Sequence, residues 1–459
     1  MKKRKSVFIF LIAVFCLSTT SFQQVHRDQK QRKINDSRNI HMRQAKIPCL
    51  NDGLPYRADP KGSSYVSDQV LVKFKSTLSS KMVKATIASY GLEQIKRIPQ
   101  LNIFQLQVPE NLSVKEMISY LEQNPDVQYA EPNYKAHLAV TPNDTLFKYQ
   151  YALQNSGQEI GVPGAPQGKS NADIKATQGW KETKGVKEVI IAVVDSGVDM
   201  EHPDLKDNIY SSGKDFANDD LDATDDNGHG TFVSSLAAAV TNNSEGIAGV
   251  AWNCKVLPLK VTDEKGEAFY SWVIEAIRYA VDNEAQVINV SLGGNMPSHA
   301  LEDALSYADR NDVLVVAAAG NDSGPVLYPA AYDKYCVAVA ATDYKDSRAE
   351  WSNYGPEIDV AAPGVRVIGC VPTWYWGEET LPYGWGFGTS ASTPHVAGMA
   401  ALIKSIKPWL TPSEIMKIIR YSSDDINQID YPGKDEYLGY GRVNLEKALV
   451  PILISSSEE

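Results

Sequence analysis

Cysteine is scarce in this chain, and its placement argues against a zinc site. The 459 residues contain five cysteines, and none stands in a CxxC or CxxH pattern, so a zinc site is disfavoured. Cys16 and Cys49 lie near the start, which leaves three cysteines, Cys254, Cys336 and Cys370, in the rest of the chain. Three cysteines can form at most one disulfide, and we predict that they are structural thiols.

Long hydrophobic runs are also missing. The apolar run at residues 7–17 is too short to span a bilayer. It follows basic residues at 2–5 and precedes small polar residues, which predicts a signal peptide over residues 1–21. A lipoprotein acylated at Cys16 fits less well, because bulky Phe15 precedes that cysteine. We therefore expect a soluble protein without a stable membrane anchor, secreted to the extracellular space or the periplasm.

Positive charge is depleted from most of the chain. Residues 1–64 carry 13 basic and 4 acidic side chains, and residues 65–137 carry 8 and 7. The remainder carries 24 basic and 45 acidic side chains, within a formal net charge of −11 for the whole chain. An acidic body of this kind argues against nucleic acid as a partner.

The pattern of the chain divides it into successive segments. Residues 22–64 are polar and basic without periodicity, and we predict a disordered leader. Residues 65–137 indicate a β-α-β-β-α-β order, which favours a small ferredoxin-like α+β domain. Residues 138–459 form the third and largest segment.

Apolar runs alternate with amphipathic helices in this third segment. The runs read VIIAVVD, KVLPLKV, AQVINVSL, VLVVAAAG and CVAVAATD. Such runs are typical of strands buried on both faces of a parallel sheet. We predict an α/β domain with a doubly wound, mostly parallel sheet, whose ligands gather at the carboxyl ends of the strands.

Four polar side chains stand at predicted element ends. Asp195 and Asn321 end strands, while His229 and Ser390 begin helices. Each has an ordinary structural explanation by itself, since Asp is common in turns and Ser is a common helix N-cap. Together they supply a nucleophile, a base, a carboxylate that orients the base, and an oxyanion donor for acyl transfer. The order Asp, His, Ser differs from the α/β-hydrolase and chymotrypsin orders.

The motifs AVVDSGVDMEHPDL, NGHGTFVSSLAA, SLGG, AAAGN and GTSASTPHVAG occur in this order. Together they resemble the subtilisin-like serine peptidases, the subtilase family, and specifically its thermitase-like branch. The resemblance covers residues from about 140 to 449 and implies a subtilisin-like fold. It implies that Asp195 orients His229, that His229 is the general base, and that Ser390 is the nucleophile. Asn321 would then help to form the oxyanion hole.

One position departs from the family pattern. Methionine usually follows the nucleophile, and here the residue is Ala391. A shorter side chain changes the packing behind the nucleophile without touching the reacting groups, so we expect activity to persist and sensitivity to peroxide to fall.

The resemblance also implies a peptide-binding cleft. Substrate would run as an added strand between two segments, next to a pocket walled by small residues. The residues implied are Gly266, Ala268, Ser291, Leu292, Gly293, Gly294, Ala318, Ala319 and Gly320. The partners implied are protein or peptide substrates.

Residues 65–137 resemble the inhibitory prodomains of subtilases, and 138–459 would be the peptidase domain. The prodomain would act as an intramolecular chaperone and inhibitor, and self-cleavage within 134–141 would release a monomeric enzyme.

Two acidic loops are predicted as structural Ca²⁺ sites, so one or two ions are expected. By resemblance the first would use Asp144, Asp204, Val240, Asn243, Glu245 and Ile247. The second has oxygen-bearing side chains at alternating positions, namely Asp215, Asn218, Asp220, Asp222 and Thr224, and it matches a calcium loop of thermitase-like subtilases.

The sequence predicts a secreted serine endopeptidase made as a self-processed zymogen. The alternative is a catalytically inactive scaffold that keeps the fold for binding. It is disfavoured because all four catalytic groups are present. A metallopeptidase is also disfavoured, because the chain has no HExxH motif and no clustered histidines.

Overall fold

A computed structural model describes residues 65–134, 141–161, 165–376 and 381–450. The described residues divide between two compact units, one before residue 138 and one after it. The predicted signal peptide and basic leader lie outside the described residues, as does most of the predicted cleavage segment.

The first unit is a four-stranded antiparallel sheet with two helices. Its elements are β1 (Tyr65–Phe74), α1 (Ser80–Ser89), β2 (Glu93–Ile98), β3 (Ile103–Gln107), α2 (Val114–Glu122) and β4 (Val127–Tyr134), and the strand order is β2-β3-β1-β4. Ser113 and Glu116 form a capping box that begins α2. The predicted ferredoxin-like order is confirmed. All six residues of β2 are exposed, which explains why this strand lacks an alternating hydrophobic pattern.

The second unit contains a seven-stranded parallel sheet. Its strands are β5 (Ile190–Asp195), β6 (Lys214–Asp215), β7 (Lys255–Lys260), β8 (Val287–Val290), β9 (Leu314–Ala318), β10 (Cys336–Thr342) and β11 (Val360–Pro363). The order is β11-β10-β9-β8-β5-β7-β6, and each pair is parallel. The five predicted strands are therefore confirmed. The two-residue β6 is too short to give a sequence signal, and β11 was not predicted.

Helices cover both faces of this sheet. The helices are α3 (Ala176–Gly179), α4 (His229–Ala238), α5 (Tyr270–Asp282), α6 (His299–Arg310), α7 (Thr373–Trp376), α8 (Thr389–Ile406), α9 (Pro412–Ser422) and α10 (Leu445–Leu449). Alternate residues of β5 enter different cores: Ile191 packs with Val233 of α4 and Val396 of α8, whereas Ile190 packs with Ile277 of α5 and Leu305 of α6. The sheet is thus doubly wound, as expected.

A hairpin of β12 (Val365–Cys370) and β13 (Tyr383–Phe387) leads into α8. The three cysteines of this unit are buried free thiols. Within the described ranges no helix is both long and apolar enough to cross a membrane.

Candidate active site

Asp195 and His229 meet at the carboxyl edge of the parallel sheet. Asp195 is the last residue of β5, an inner strand that lies between β8 and β7, and His229 is the first residue of α4. Gly228 precedes the histidine with φ +104°, a left-handed conformation that favours glycine. Nδ1 of His229 lies 2.6 Å from Oδ1 of Asp195. The same carboxylate oxygen accepts a hydrogen bond from the backbone N–H of Ser196 at 2.8 Å.

This contact sets the proton affinity of the imidazole. Burial lowers the pKa of His229, but the charge and hydrogen bond of Asp195, together with the charge of Asp225, outweigh burial. The net result is a pKa above the ordinary 6.5. An imidazole held at one nitrogen by a carboxylate is oriented as a general base requires.

Asp225 is a buried acid of this site that sequence reasoning missed. It is 1% exposed and its carboxylate accepts hydrogen bonds from the N–H groups of Asn227, Gly228 and Thr231 at 2.8–3.0 Å. It also accepts from the hydroxyl of Ser196 at 2.8 Å. Asp225 therefore joins the strand that carries Asp195 to the helix that carries His229. The signal was its place four residues before a histidine that begins a helix.

Ser390 is the second residue of α8, so its backbone N–H belongs to the free donors of a helix N-terminus. Gly388 is the N-cap residue of this helix, with φ +134°, a conformation that favours glycine. The Ser390 hydroxyl donates to the carbonyl of Ser291 at 3.0 Å. Among the described residues, this hydroxyl is not hydrogen-bonded to His229.

Asn321 follows β9 and faces the start of α8. Its side-chain oxygen accepts from the N–H of Thr389 at 2.8 Å and from the Thr389 hydroxyl at 3.0 Å. Because a backbone N–H can only donate, these contacts fix the orientation of the amide and leave its NH₂ as a donor. A Cβ on Gly388 would lie 3.5 Å from that nitrogen, so glycine keeps the space beside the donor open.

The predicted cleft residues divide into two groups. Ser291, Leu292, Gly293 and Gly294 follow β8, and the N–H and carbonyl of Gly294 are already bonded to Tyr328 at 2.8 and 2.9 Å. Gly266 is exposed and Ala268 is half-buried. By contrast, Ala319 is fully buried in the core shared with α5 and α6, and Ala318 and Gly320 are also buried. The structure therefore places the Ala319 side chain in the core and not on an open pocket wall.

The first predicted calcium loop brings two buried carboxylates together. Asp144 is 5% exposed and Asp204 is 0% exposed. Burial, and then the nearby charge of Asp204, raise the pKa of Asp144 to about 6 against opposing backbone hydrogen bonds, and burial also raises the pKa of Asp204. Asp204 accepts from the Asn243 amide at 2.7 Å and from the N–H of Ile247 at 2.8 Å.

This donor set fits a hard cation. Two like-charged buried carboxylates lack the compensation that a cation would give. The side-chain oxygen of Asn243, which accepts from the N–H of Glu245 at 2.9 Å, adds a further oxygen. The N–H of Val240 is bonded to the Asp204 carbonyl at 2.7 Å, which keeps the loop against Asp204. Glu245 is exposed, so its side chain is the least suited of the predicted ligands.

The second predicted loop does not fit a calcium ion. Asp215 is 1% exposed, and its carboxylate pairs with the ammonium of Lys260 at 3.1 Å. Lys260 is itself 4% exposed and also contacts Asp226 at 2.7 Å. The remaining side chains bond within the loop: Asn218 to Asp215, Asp220 to the N–H of Asp222, and Asp222 to the N–H and hydroxyl of Thr224. In the part of the chain that the structure describes, no three Asp, Glu, His or Cys side chains cluster to hold a metal ion, and this is true of the first loop as well as the second.

Comparison with known proteins decides the family. A model of the subtilase family matches residues 186–441, which is more than half of the chain. The chain belongs to the subtilase family. A second model, the fervidolysin N-terminal prodomain, matches residues 55–133.

Individual relatives agree with this assignment. The chain is 36% identical over 388 residues to a thermophilic serine proteinase of Bacillus sp. (strain AK1), covering 84% of this chain and 88% of the relative. It is 38% identical over 312 residues to thermitase of Thermoactinomyces vulgaris, covering 67% and 99%. The crystal structure of fervidolysin from Fervidobacterium pennivorans, described as a keratinolytic enzyme related to subtilisin, superposes with a TM-score of 0.57 at 26% identity, covering 86% of this chain and 63% of that one.

This subtilase is a serine-type endopeptidase of the thermitase-like branch. It acts on peptide substrates and carries an N-terminal prodomain as an intramolecular partner. The predicted fold, a mostly parallel α/β sheet preceded by a small prodomain, is confirmed.

Proposed function

We propose that Asp195, His229 and Ser390 hydrolyse peptide bonds through an acyl-enzyme. The observation that carries this is the 2.6 Å contact between Nδ1 of His229 and Oδ1 of Asp195. It lies at the carboxyl edge of the sheet, where the first turn of α8 carries Ser390. His229 takes the Ser390 proton as the hydroxyl attacks the peptide carbonyl, and then gives that proton to the leaving amine. Water, activated by the same imidazole, hydrolyses the ester that remains.

The developing oxyanion is held by two donors. One is the Asn321 NH₂, which the Thr389 contacts leave free to donate. The other is the backbone N–H of Ser390 in the first turn of α8. Both donors are fixed before substrate arrives, so no reorganisation is needed during the reaction.

Substrate lies as an added strand between the segments 266–268 and 291–294. The Ser291 carbonyl now accepts from the Ser390 hydroxyl, and it is the group positioned to accept from a substrate N–H when that hydroxyl turns away. Since the side chain of Ala319 is in the core, the pocket wall is formed by backbone near Gly320 and by neighbouring side chains.

We propose that the enzyme is secreted as a zymogen and functions as a monomer without a membrane anchor. The first 21 residues serve as the signal peptide, and cleavage by the enzyme itself within 134–141 separates the prodomain from the peptidase domain. The prodomain acts as an intramolecular chaperone and inhibitor.

We also propose one structural Ca²⁺, held at Asp144, Asp204 and Asn243 with backbone carbonyls of the 240–247 loop. A bound divalent cation would neutralise the two buried carboxylates and stabilise the folded state by mass action. The loop at 215–224 is not included, because Lys260 already supplies the positive charge there.

The decisive experiment is expression of the full chain with and without Ser390→Ala. Wild type is expected to release the prodomain, to give a new N-terminus within 134–141, and to react with a fluorophosphonate. Ser390→Ala is expected to remain full length. Ser405→Ala is a matched control in the same helix, since its hydroxyl bonds Ala401 one turn away, and it is expected to process normally.

Cleavage of Ser390→Ala at the same site, with an unlabelled wild type, would contradict the proposal. That outcome would favour the inactive scaffold, with another peptidase as the processing enzyme.

A further inference from the structure

We infer that Asn289 and the Ser291 hydroxyl are positioning residues for the nucleophile, and that they replace a helical hydrogen bond that Pro394 removes. The inference rests on the proposed role of Ser390 as nucleophile. Neither the Asn289 side chain nor the Ser291 hydroxyl belongs to the proposed triad or oxyanion hole.

The first step concerns α8. In an α-helix the carbonyl of one residue accepts from the N–H four residues later. The residue four positions after Ser390 is Pro394, which lies inside the helix and has no N–H. The Ser390 carbonyl therefore loses its regular helical donor in the turn that carries the reacting group.

Ser291 supplies the donor that Pro394 cannot give to the Ser390 carbonyl. Its hydroxyl donates to the Ser390 carbonyl at 3.2 Å. In the opposite direction, the Ser390 hydroxyl donates to the Ser291 carbonyl at 3.0 Å. The two serines are thus joined by a reciprocal pair of hydrogen bonds between the end of β8 and the start of α8.

Asn289 sets the direction of the Ser291 hydroxyl. Its side-chain nitrogen donates to the Ser291 hydroxyl oxygen at 2.9 Å. Because a hydroxyl has one proton, an oxygen that accepts from Asn289 is free to give that proton to Ser390. The resulting relay runs from the Asn289 amide through the Ser291 hydroxyl to the Ser390 carbonyl.

The stability of β8 does not explain why residue 289 is an asparagine. Asn289 is 0% exposed in the middle of a buried strand, and its side-chain oxygen has no hydrogen-bond partner among the described residues. A buried acceptor without a partner is destabilising, and an aliphatic side chain would avoid that loss. The donor that Asn289 gives to Ser291 is therefore its specific contribution.

The consequence is a fixed backbone at Ser390. That backbone carries both the attacking hydroxyl and the N–H proposed for the oxyanion, so loosening it would weaken the transition state more than substrate binding. We expect the relay to act on kcat, with KM nearly unchanged.

The test is a double-mutant cycle on the secreted enzyme with a peptide substrate and active-site titration. Ser291→Ala is expected to lower kcat roughly tenfold, the scale of one hydrogen bond, with little change in KM or melting temperature. Pro394→Ala restores an N–H to the helix, so Ser291→Ala should cost clearly less in that background. Ser291→Thr keeps a hydroxyl and should recover activity, and Asn289→Leu should lower kcat without adding to Ser291→Ala.

Ser422→Ala is the matched control. It removes a buried serine hydroxyl that donates to a helix carbonyl, that of Ile419, and it should leave kcat unchanged. The inference is overturned if Ser291→Ala has wild-type kcat, or if its loss of kcat is the same with Pro394 and with alanine at that position. If Asn289→Leu does not fold, the double-mutant cycle of Ser291→Ala and Pro394→Ala still tests whether the Ser291 hydroxyl replaces the lost helical hydrogen bond. An inactive wild type would instead refute the proposed function, so the two failures are distinguishable.

Discussion

Nδ1 of His229 lies 2.6 Å from Oδ1 of Asp195, and the second oxygen of that buried carboxylate has no hydrogen-bond partner among the described residues. The carboxylate therefore directs its strongest contact to the imidazole. Asp225 adds negative charge from behind the first turn of α4, and both acids favour the protonated imidazole.

The first prediction concerns pH. A general base must be neutral, so kcat/KM should rise with pH through a midpoint above 6.5, because the pKa of His229 is raised. Asp225→Asn removes a charge that favours the imidazolium, so it should move the midpoint to lower pH. The measurement is the pH–rate profile of a short chromogenic peptide, with the melting temperature as a check on folding.

Asp303→Asn, an exposed acid of α6, makes the same change in charge and should leave that midpoint in place. A wild-type midpoint at or below 6.5, or one that Asp225→Asn does not move, contradicts this prediction.

The second prediction concerns the oxyanion donor. Asn321→Leu removes the NH₂ group but keeps a similar volume, and it should lower kcat by about 10²–10³-fold with little change in KM. Thr389→Val keeps the N–H contact to Asn321 and loses the hydroxyl contact, so its loss should be smaller. Kinetics normalised by active-site titration measure both. Asn311→Leu, at the end of α6, is the control and should have the kcat and KM of the wild type. If Asn321→Leu instead raised KM by as large a factor as it lowered kcat, Asn321 would have a role in substrate binding.

The sequence predicted the sheet and the positions of the four candidate catalytic residues because those features are local. Buried parallel strands give continuous apolar runs, and Asp195, His229, Asn321 and Ser390 each mark the end of such a run or the start of a helix. Short or exposed strands such as β2 and β6 gave no pattern, since they bury little apolar surface.

Contacts between distant segments were beyond sequence reasoning. Lys260 is a strand residue whose pairing with Asp215 depends on the register of β6 against β7. Asn289 reads as one polar residue in an apolar run, and its contact with Ser291 appears only when the strand end lies beside α8. Ala319 shows the same limit, since a small residue next to a catalytic segment can face either side of a sheet.

The third prediction concerns calcium. Burial raises the pKa of Asp144 from 3.8 to about 6 and also raises the pKa of Asp204, so in the absence of a cation the folded state loses stability as pH rises from about 3.8 to about 6. Calcium should therefore raise the melting temperature more above pH about 6 than below it, relative to chelator. Asp204→Asn should abolish most of that gain. Differential scanning fluorimetry of the mature, fluorophosphonate-inhibited enzyme measures this gain in melting temperature. An equal gain from calcium above and below pH about 6 would contradict the prediction.

The last prediction concerns the loop at 215–224, where Lys260 takes the place of a cation. Lys260→Met leaves the buried Asp215 carboxylate without its ammonium partner, which should cost about 3 kcal/mol of unfolding free energy. Adding Asp215→Asn removes the unpaired charge and should recover part of that loss. Denaturant unfolding of the inhibited enzyme in chelator gives these values. Asp215→Asn alone should leave the calcium-dependent gain in melting temperature at its wild-type size, whereas loss of that gain would show that this loop binds calcium in spite of Lys260.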